Sequence, residues 1–355
     1  MMGRRHFFTL PLGIALLAAG CARLELKPLK PRRAAEVERK EVNRPWRLTR
    51  DAETRILALQ PDRVTEADVR GVLKNAPAPR IINIHGGIEH VQRRLAAFSK
   101  FLIGMGYPEN AIRFPGTKLY TISCYEPAEL FTGTIAWFYE HEGMRPMMLG
   151  HSQGGIQAVK VLQRFASPPS KGIEVWSPLT WASEHRTEIT DPLSGKKVPA
   201  SSVTVSYVAS LGAGGITRVL PNQWDMLGRL RAVPDTVDEF TGFYLGMDLL
   251  GGDYLGFGSA NRFHATGHAH VRNVELPSTY SHAHTPELER LLHNRGAIDW
   301  INNYVQSDEP HDPENLPGDV KGIVFGADVW KSVKRHWVIE LQRLIRARRA
   351  RENGR

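Results

Sequence analysis

The sequence predicts an α/β fold with a mostly parallel central sheet and helices on both faces. Short apolar runs of strand type recur and stop at glycine. Between them, apolar residues fall at three- and four-residue spacing, as on one face of a helix. Two strand ends carry dense glycine, Gly86-Gly87 and Gly150 with Gly154-Gly155, which suits tight strand-to-helix turns. Strands alternating with helices in this way build βαβ units and a parallel sheet.

Along the chain, Thr65 and Asp68 form an N-cap and its N3 partner for a short helix that stops before Pro77. Arg80-Ile81-Ile82-Asn83-Ile84 reads as a strand buried on both faces, ending at His85-Gly86-Gly87. Val91, Leu95, Phe98 and Leu102 mark a helix closed by Gly106, and Ala111 to Phe114 are expected as the second strand. Phe131, Ile135 and Phe138 mark another helix, ended by Gly143. Met147-Met148-Leu149 is the third strand and runs into Gly150-His151-Ser152-Gln153-Gly154-Gly155, after which Ile156, Val159 and Leu162 begin a helix. Beyond residue 166, Pro168, Pro169, Pro178 and Pro192 break the alternation. Strand patterns resume at Val203–Val208, Phe240–Leu245 and Val271–Leu276. The C-terminal segment is an amphipathic helix with Val333, Trp337, Leu341, Leu344 and Ile345 on one face and arginines on the other.

Of the 355 residues, 42% are hydrophobic and 23% charged, a balance that excludes a disordered or fibrous chain. One apolar run, Phe7 to Ala19, could enter a bilayer, which excludes a multi-span membrane protein. Two cysteines, Cys21 and Cys124, exclude a disulfide scaffold. The net charge of +9 is uneven: residues 22–50 hold ten Lys/Arg against four Glu, 331–355 hold nine against two, and 51–330 are net −6. Basic arms can serve nucleic acid, but these lack interleaved aromatics, so no nucleic-acid partner is expected. Attraction to anionic headgroups, or plain solvation, accounts for them.

The layout predicts four parts: a signal peptide over 1–20, a basic linker over 21–50, the folded domain over 51–330 and the basic helix over 331–355. Arg4-Arg5 before Phe7 to Ala19 has the pattern of a secretory signal. Leu17-Ala18-Ala19-Gly20-Cys21 resembles the lipobox of bacterial lipoproteins, with Ala18 where that family usually has Leu. The resemblance implies cleavage before Cys21 and acylation there. With Ala22 rather than aspartate next, it implies the outer membrane of a Gram-negative cell, facing the periplasm. Gly3-Arg4-Arg5-His6-Phe7-Phe8 is also similar to a twin-arginine export signal.

Gly150-His151-Ser152-Gln153-Gly154 fits G-x-S-x-G, the nucleophile elbow. A strand turns into a helix so sharply that the serine is strained and its near neighbours must be small. The apolar strand before Gly150 and the helix after Ser152 supply that context. No Walker lysine or G-x-G-x-x-G accompanies the glycines, which argues against a phosphate loop. His85-Gly86-Gly87, at the end of an earlier strand, supplies a loop whose N–H groups can face a developing oxyanion.

Taken together, these motifs in this order resemble the α/β-hydrolase superfamily, in particular its bacterial lipases and esterases, over residues 81–166. The resemblance implies Ser152 as nucleophile, and Gly87 and Gln153 as donors of the oxyanion N–H groups. It further implies an acid and then a histidine, in that order, after later strands. Asp248, in Gly246-Met247-Asp248 beyond the strand 240–245, is the first candidate acid; Asp253 is the second and Asp225 the third. His282, beyond the strand 271–276, is the first candidate base and His284 the second. The histidine would take the Ser152 proton while the aspartate orients its ring.

Two insertions, 167–200 and 211–239, lie where the family carries lids. Their Trp176, Trp181, Trp224, Met226 and Leu227 supply apolar surface for an acyl pocket or for the core. The pairs His268-Ala269-His270 and His282-Ala283-His284 lack a carboxylate at a fixed spacing, so no metal and no cofactor is expected. The expected partners are a small-molecule or lipid ester and the membrane that holds the anchor. Thioester hydrolysis, acyl transfer or a non-catalytic binding scaffold could use the same framework.

Overall fold

Ile81, Ile82, Asn83, Ile84 and His85 are all buried, because the strand they form is covered on both sides. This strand, β1 (Ile81–His85), lies in a sheet with β2 (Ile122–Ser123), β3 (Met147–His151), β4 (Val205–Leu211), β5 (Val237–Leu245) and β6 (His270–Leu276). The order across the sheet is β2-β1-β3-β4-β5-β6, and every pairing is parallel. The computed structural model describes residues 26–42, 48–87, 89–214, 218, 221–245, 262–277, 280 and 288–354, leaving aside the side chains of 89, 90, 221, 222, 225 and 227.

Helices cover both faces. Side chains alternate along each strand, so Ile81, Met147, Leu149, Tyr207, Phe243 and Val274 face one core. That core is closed by Phe98 and Leu102 of α3 (Glu89–Gly104) and by Val333, Trp337 and Leu341 of α6 (Ile323–Asn353). Ile82, Ile84, Met148, Val208 and Phe240 face the other, closed by α4 (Ala128–Glu142) and α5 (Gln153–Ala166). Gly143 ends α4 in the left-handed conformation at φ 76°, which glycine takes without a Cβ clash. The box foreseen at Thr65 and Asp68 is formed in both directions.

Three expectations are corrected. The second strand is Ile122–Ser123, not 111–114. Ile112 and Phe114 are fully buried, but the Ile112 N–H donates back to Glu109 O and the Phe114 N–H forward to Leu119 O, both local bonds rather than a strand ladder. Nor is the segment 21–50 simply a linker. Residues 31–41 form helix α1 (Pro31–Glu41), with Pro31 in its first turn, where its missing N–H costs nothing. Ala34, Val37 and Val42 are buried, Leu29 N–H donates to Leu179 O at 2.9 Å and Gly116 N–H to Glu41 Oε2 at 2.8 Å. The helix expected over 331–355 begins at Ile323, and its apolar face is part of the core, with Trp337 donating to Pro77 O at 2.7 Å. Its basic side chains find acids on the body, as Arg349 does with Glu53 of α2 (Arg50–Ala58) and Arg335 with Asp62, each at 2.8 Å. The segment 167–200 forms two short antiparallel pairs, 176–177 with 182–183 and 188–190 with 197–199, and packs on α4 through Trp176 and Asp191.

The topology also sets where a site can form. From β1 the chain goes outward to β2, then crosses to β3 on the other side of β1 and continues to β6. At such a reversal of direction the loops beyond the carboxyl ends of two strands diverge and leave a crevice. Here the two loops are those after β1 and after β3.

Candidate active site

Ser152 stands on the turn between β3 and α5, with φ 57° and ψ −127°. An L-residue held there costs on the order of 1–3 kcal/mol, and surrounding structure must enforce it. The enforcement is steric and lies in the glycines. A Cβ on Gly150 would sit 2.5 Å from Gly154 O and Gly155 N. One on Gly154 would overlap the carbonyl oxygen of Ile84, and one on Gly155 would strike Ser210 and lie 2.8 Å from Ala213 Cβ. The start of α5 is thus pressed onto the ends of β1 and β4, which only glycine allows. Ser152 N–H donates to Leu211 O at 2.8 Å, and Gly155 N–H to Ser152 O at 2.9 Å, fixing the turn from both sides. Ser152 is only 8% exposed.

The loop after β1 runs directly over this serine. A Cβ on Gly86 would lie 2.9 Å from Ser152 Cβ and 3.3 Å from Ser152 Oγ. The structure therefore brings together Ser152, Gln153 and the Gly86-Gly87 loop. Gln153 is held by its side chain, whose Oε1 accepts from the Cys124 S–H at 3.3 Å. His85, at the end of β1, is buried with Nδ1 3.0 Å from Thr121 Oγ1, and burial pushes its imidazole down to about 4. It is neutral at pH 7 and packs as part of the loop's support.

Asp248, Asp253, His282, His284 and Cys21 lie outside the described residues, as does the side chain of Asp225. The strands that precede the first four are described. β5 ends at Leu245 in register with Leu276, the end of β6, and Phe243 of β5 is level with Leu211 and so with His151. The chain therefore leaves both strands at the edge that carries Ser152. A carboxylate–imidazole pair does exist elsewhere: His268 Nδ1 lies 3.3 Å from Asp235 Oδ2. Both precede the first residues of β5 and β6, at the opposite edge of the sheet, so this pair cannot serve Ser152.

The apolar residues of the segments 167–200 and 211–239 do not gather into one pocket among the described residues. Trp181 packs on Phe114, 5.6 Å between ring centroids, Trp176 packs on Gly133 of α4, and Trp224 is 64% exposed; the side chain of Leu227 is outside the described residues. Met226 lines a groove of about 390 Å³ whose other walls include Tyr125, Gln157, Lys160, Arg164 and Arg229. That groove is polar, unlike the pocket the tryptophans led one to expect. Among the described residues no group of His, Cys, Asp and Glu could hold a metal ion.

The place of Cys124 and Tyr125 beside this loop does not follow from the sequence reading, which puts the second strand at 111–114. The available signal was Thr121-Ile122-Ser123 itself, ahead of a turn that runs to Pro127. Residues just past a parallel strand's carboxyl end are where ligands and reacting groups gather. Comparison of the chain with family models, with curated proteins and with solved structures finds no match in any of the three.

Proposed function

We propose that the chain is a serine hydrolase of carboxylic esters, an esterase or lipase of the α/β-hydrolase type, acting through a covalent acyl-enzyme on Ser152. The observation that carries this reading is the Ser152 backbone, held at φ 57° and ψ −127° with Gly86 directly over it. Strain of this kind persists only where packing imposes it, and it is concentrated at reacting groups. The location of the turn, at the switch point of a parallel sheet, supports the same reading. So does the parallel direction of the strands, by which the chain leaves β5 and β6 at the edge that carries Ser152. Asp248, three residues past Leu245, and His282, six past Leu276, are the proposed acid and base, with Asp253 and His284 next in order.

In this reading Ser152 Oγ attacks the ester carbon as its proton passes to the histidine. The carbonyl π pair moves onto oxygen, where the N–H groups of Gln153 and Gly87 receive it; each such donor is worth about 3–4 kcal/mol to the transition state. The pair then returns, the alkoxide leaves with the histidine's proton, and water repeats the sequence on the acyl-enzyme. No cofactor takes part. Hydrolysis of p-nitrophenyl esters of graded chain length by the wild type, and its loss in Ser152→Ala, tests the proposal. A folded wild-type protein inert on the whole series would refute it.

The proposed setting is the cell envelope, with acyl chains on Cys21 and the domain facing the periplasm from the outer membrane. Among the described residues no helix is long and apolar enough to cross a membrane. A lipid anchor of two or more chains holds a protein stably without one. Mass spectrometry of the mature N-terminus tests this part: an unmodified N-terminal peptide starting elsewhere than Cys21 removes the lipoprotein reading.

A further inference from the structure

Gly87 owes its identity to its surroundings, not to its own backbone. It is absent from the glycines with positive φ, so an L-residue could adopt its conformation. What a side chain there would meet first is the tip of Tyr125. A Cβ on Gly87 would collide with the Tyr125 hydroxyl, and would also lie 3.1 Å from Tyr125 Cζ and 3.2 Å from Gln153 Oε1. The phenol therefore rests against the glycine of the proposed oxyanion loop, beside the side chain of Gln153.

Tyr125 is held there from both sides. The Cys124 N–H donates to His85 O at 3.0 Å, which ties the chain to the end of β1. On the other side, Gln157 Nε2 of α5 donates to Glu126 O at 2.9 Å. Tyr125 is 37% exposed and lines the groove that also holds Gln157.

We propose that the Tyr125 hydroxyl is a third hydrogen-bond donor to the substrate's carbonyl oxygen, beside the N–H groups of Gly87 and Gln153; this rests on the serine-hydrolase reading. As the bond from Ser152 Oγ to carbon forms, the π pair collects on that oxygen. A phenolic O–H donates to it without giving up its proton at neutral pH. A hydrogen bond to an anionic oxygen is about twice as strong as one to a neutral carbonyl, so the donor favours the transition state over bound substrate. When the pair returns and the alkoxide leaves, the phenol is unchanged.

The test compares wild type, Tyr125→Phe, Gly87→Ala and the double variant on p-nitrophenyl butyrate, with the labelling rate of Ser152 by a fluorophosphonate alongside. Thermal melting checks that each is folded. Tyr125→Phe is expected to lower kcat roughly 10- to 100-fold with KM nearly unchanged, and to slow labelling in parallel. Gly87→Ala should cost less in the Tyr125→Phe background than in the wild type, because the tightest of the methyl's contacts, with the hydroxyl, is then gone. Wild-type kcat in a folded Tyr125→Phe protein that labels normally would overturn the proposal and leave the hydrolase reading intact. A change confined to KM would also overturn it, since a ground-state contact predicts that pattern. Absence of labelling at Ser152 in the wild type would remove the hydrolase reading and the proposal with it.

Discussion

Gly154 lies against the main chain of Ile84, so close that a Cβ on it would overlap the Ile84 carbonyl oxygen and lie 2.6 Å from its carbon. The first turn of the helix after Ser152 is thereby locked to the strand whose next residues carry the Gly86-Gly87 loop. Ser152 and the loop are set relative to one another by this contact.

Gly154→Ala should therefore destabilise the protein by about 3 kcal/mol, as overpacking against rigid backbone does, and should abolish esterase activity. Gly71, with nothing within 4 Å of an added Cβ, is the control: Gly71→Ala should hold or raise stability by about 0.5–1 kcal/mol. Thermal melts and initial rates of the two variants check this pair of expectations.

The proposed acid and base are ordered by position in the chain. His282→Ala should reduce kcat/KM far more than His284→Ala, by about 10⁴ or more, and Asp248→Asn more than Asp253→Asn. A reversed ranking in either pair would move the role to the other residue.

His85 makes stability depend on pH. Burial pushes its imidazole from 6.5 down to about 4, so the folded protein keeps it neutral where the unfolded chain would protonate it. Its contribution is fully present above about pH 6.5, declines as pH falls through that value, and is lost below pH 4, a span of about 3 kcal/mol. Urea unfolding at pH 7 and at pH 4.5 measures the decline, and His85→Asn should flatten it.

The C-terminal helix is a structural member. Trp337 is fully buried, packs edge-on to Tyr107 at 4.9 Å between ring centroids, and bonds Pro77 O. Trp337→Ala should cost about 3–5 kcal/mol, and truncation from residue 331 should yield unfolded protein. A folded, active truncation would show that this packing is dispensable.

The strands and helices that read clearly in the sequence are those with a long enough period. β1, β3 and the helices α3, α4 and α5 follow from runs of Ile, Met and Phe punctuated by glycine. The elbow was legible because its glycines answer steric demands that only a strand-to-helix turn makes. β2 was not, since two residues are too few to show alternation, while the buried Ile112 and Phe114 of a nearby turn imitate a strand. Helix α1 was hidden by Pro28 and Pro31, which signal a linker unless Pro31 is recognised as a first-turn residue. Tyr125 carries no pattern of its own, and its importance arises from meeting Gly87, 38 positions earlier in the chain.

The most direct measurement of the central claim is mass spectrometry of the purified protein after reaction with a fluorophosphonate. One adduct per chain is expected, on the peptide containing Ser152, with none in a Ser152→Ala protein that melts at the same temperature as the wild type. A folded wild-type protein left unmodified, or an adduct on another serine that persists in Ser152→Ala, would contradict the assignment of Ser152 as the nucleophile.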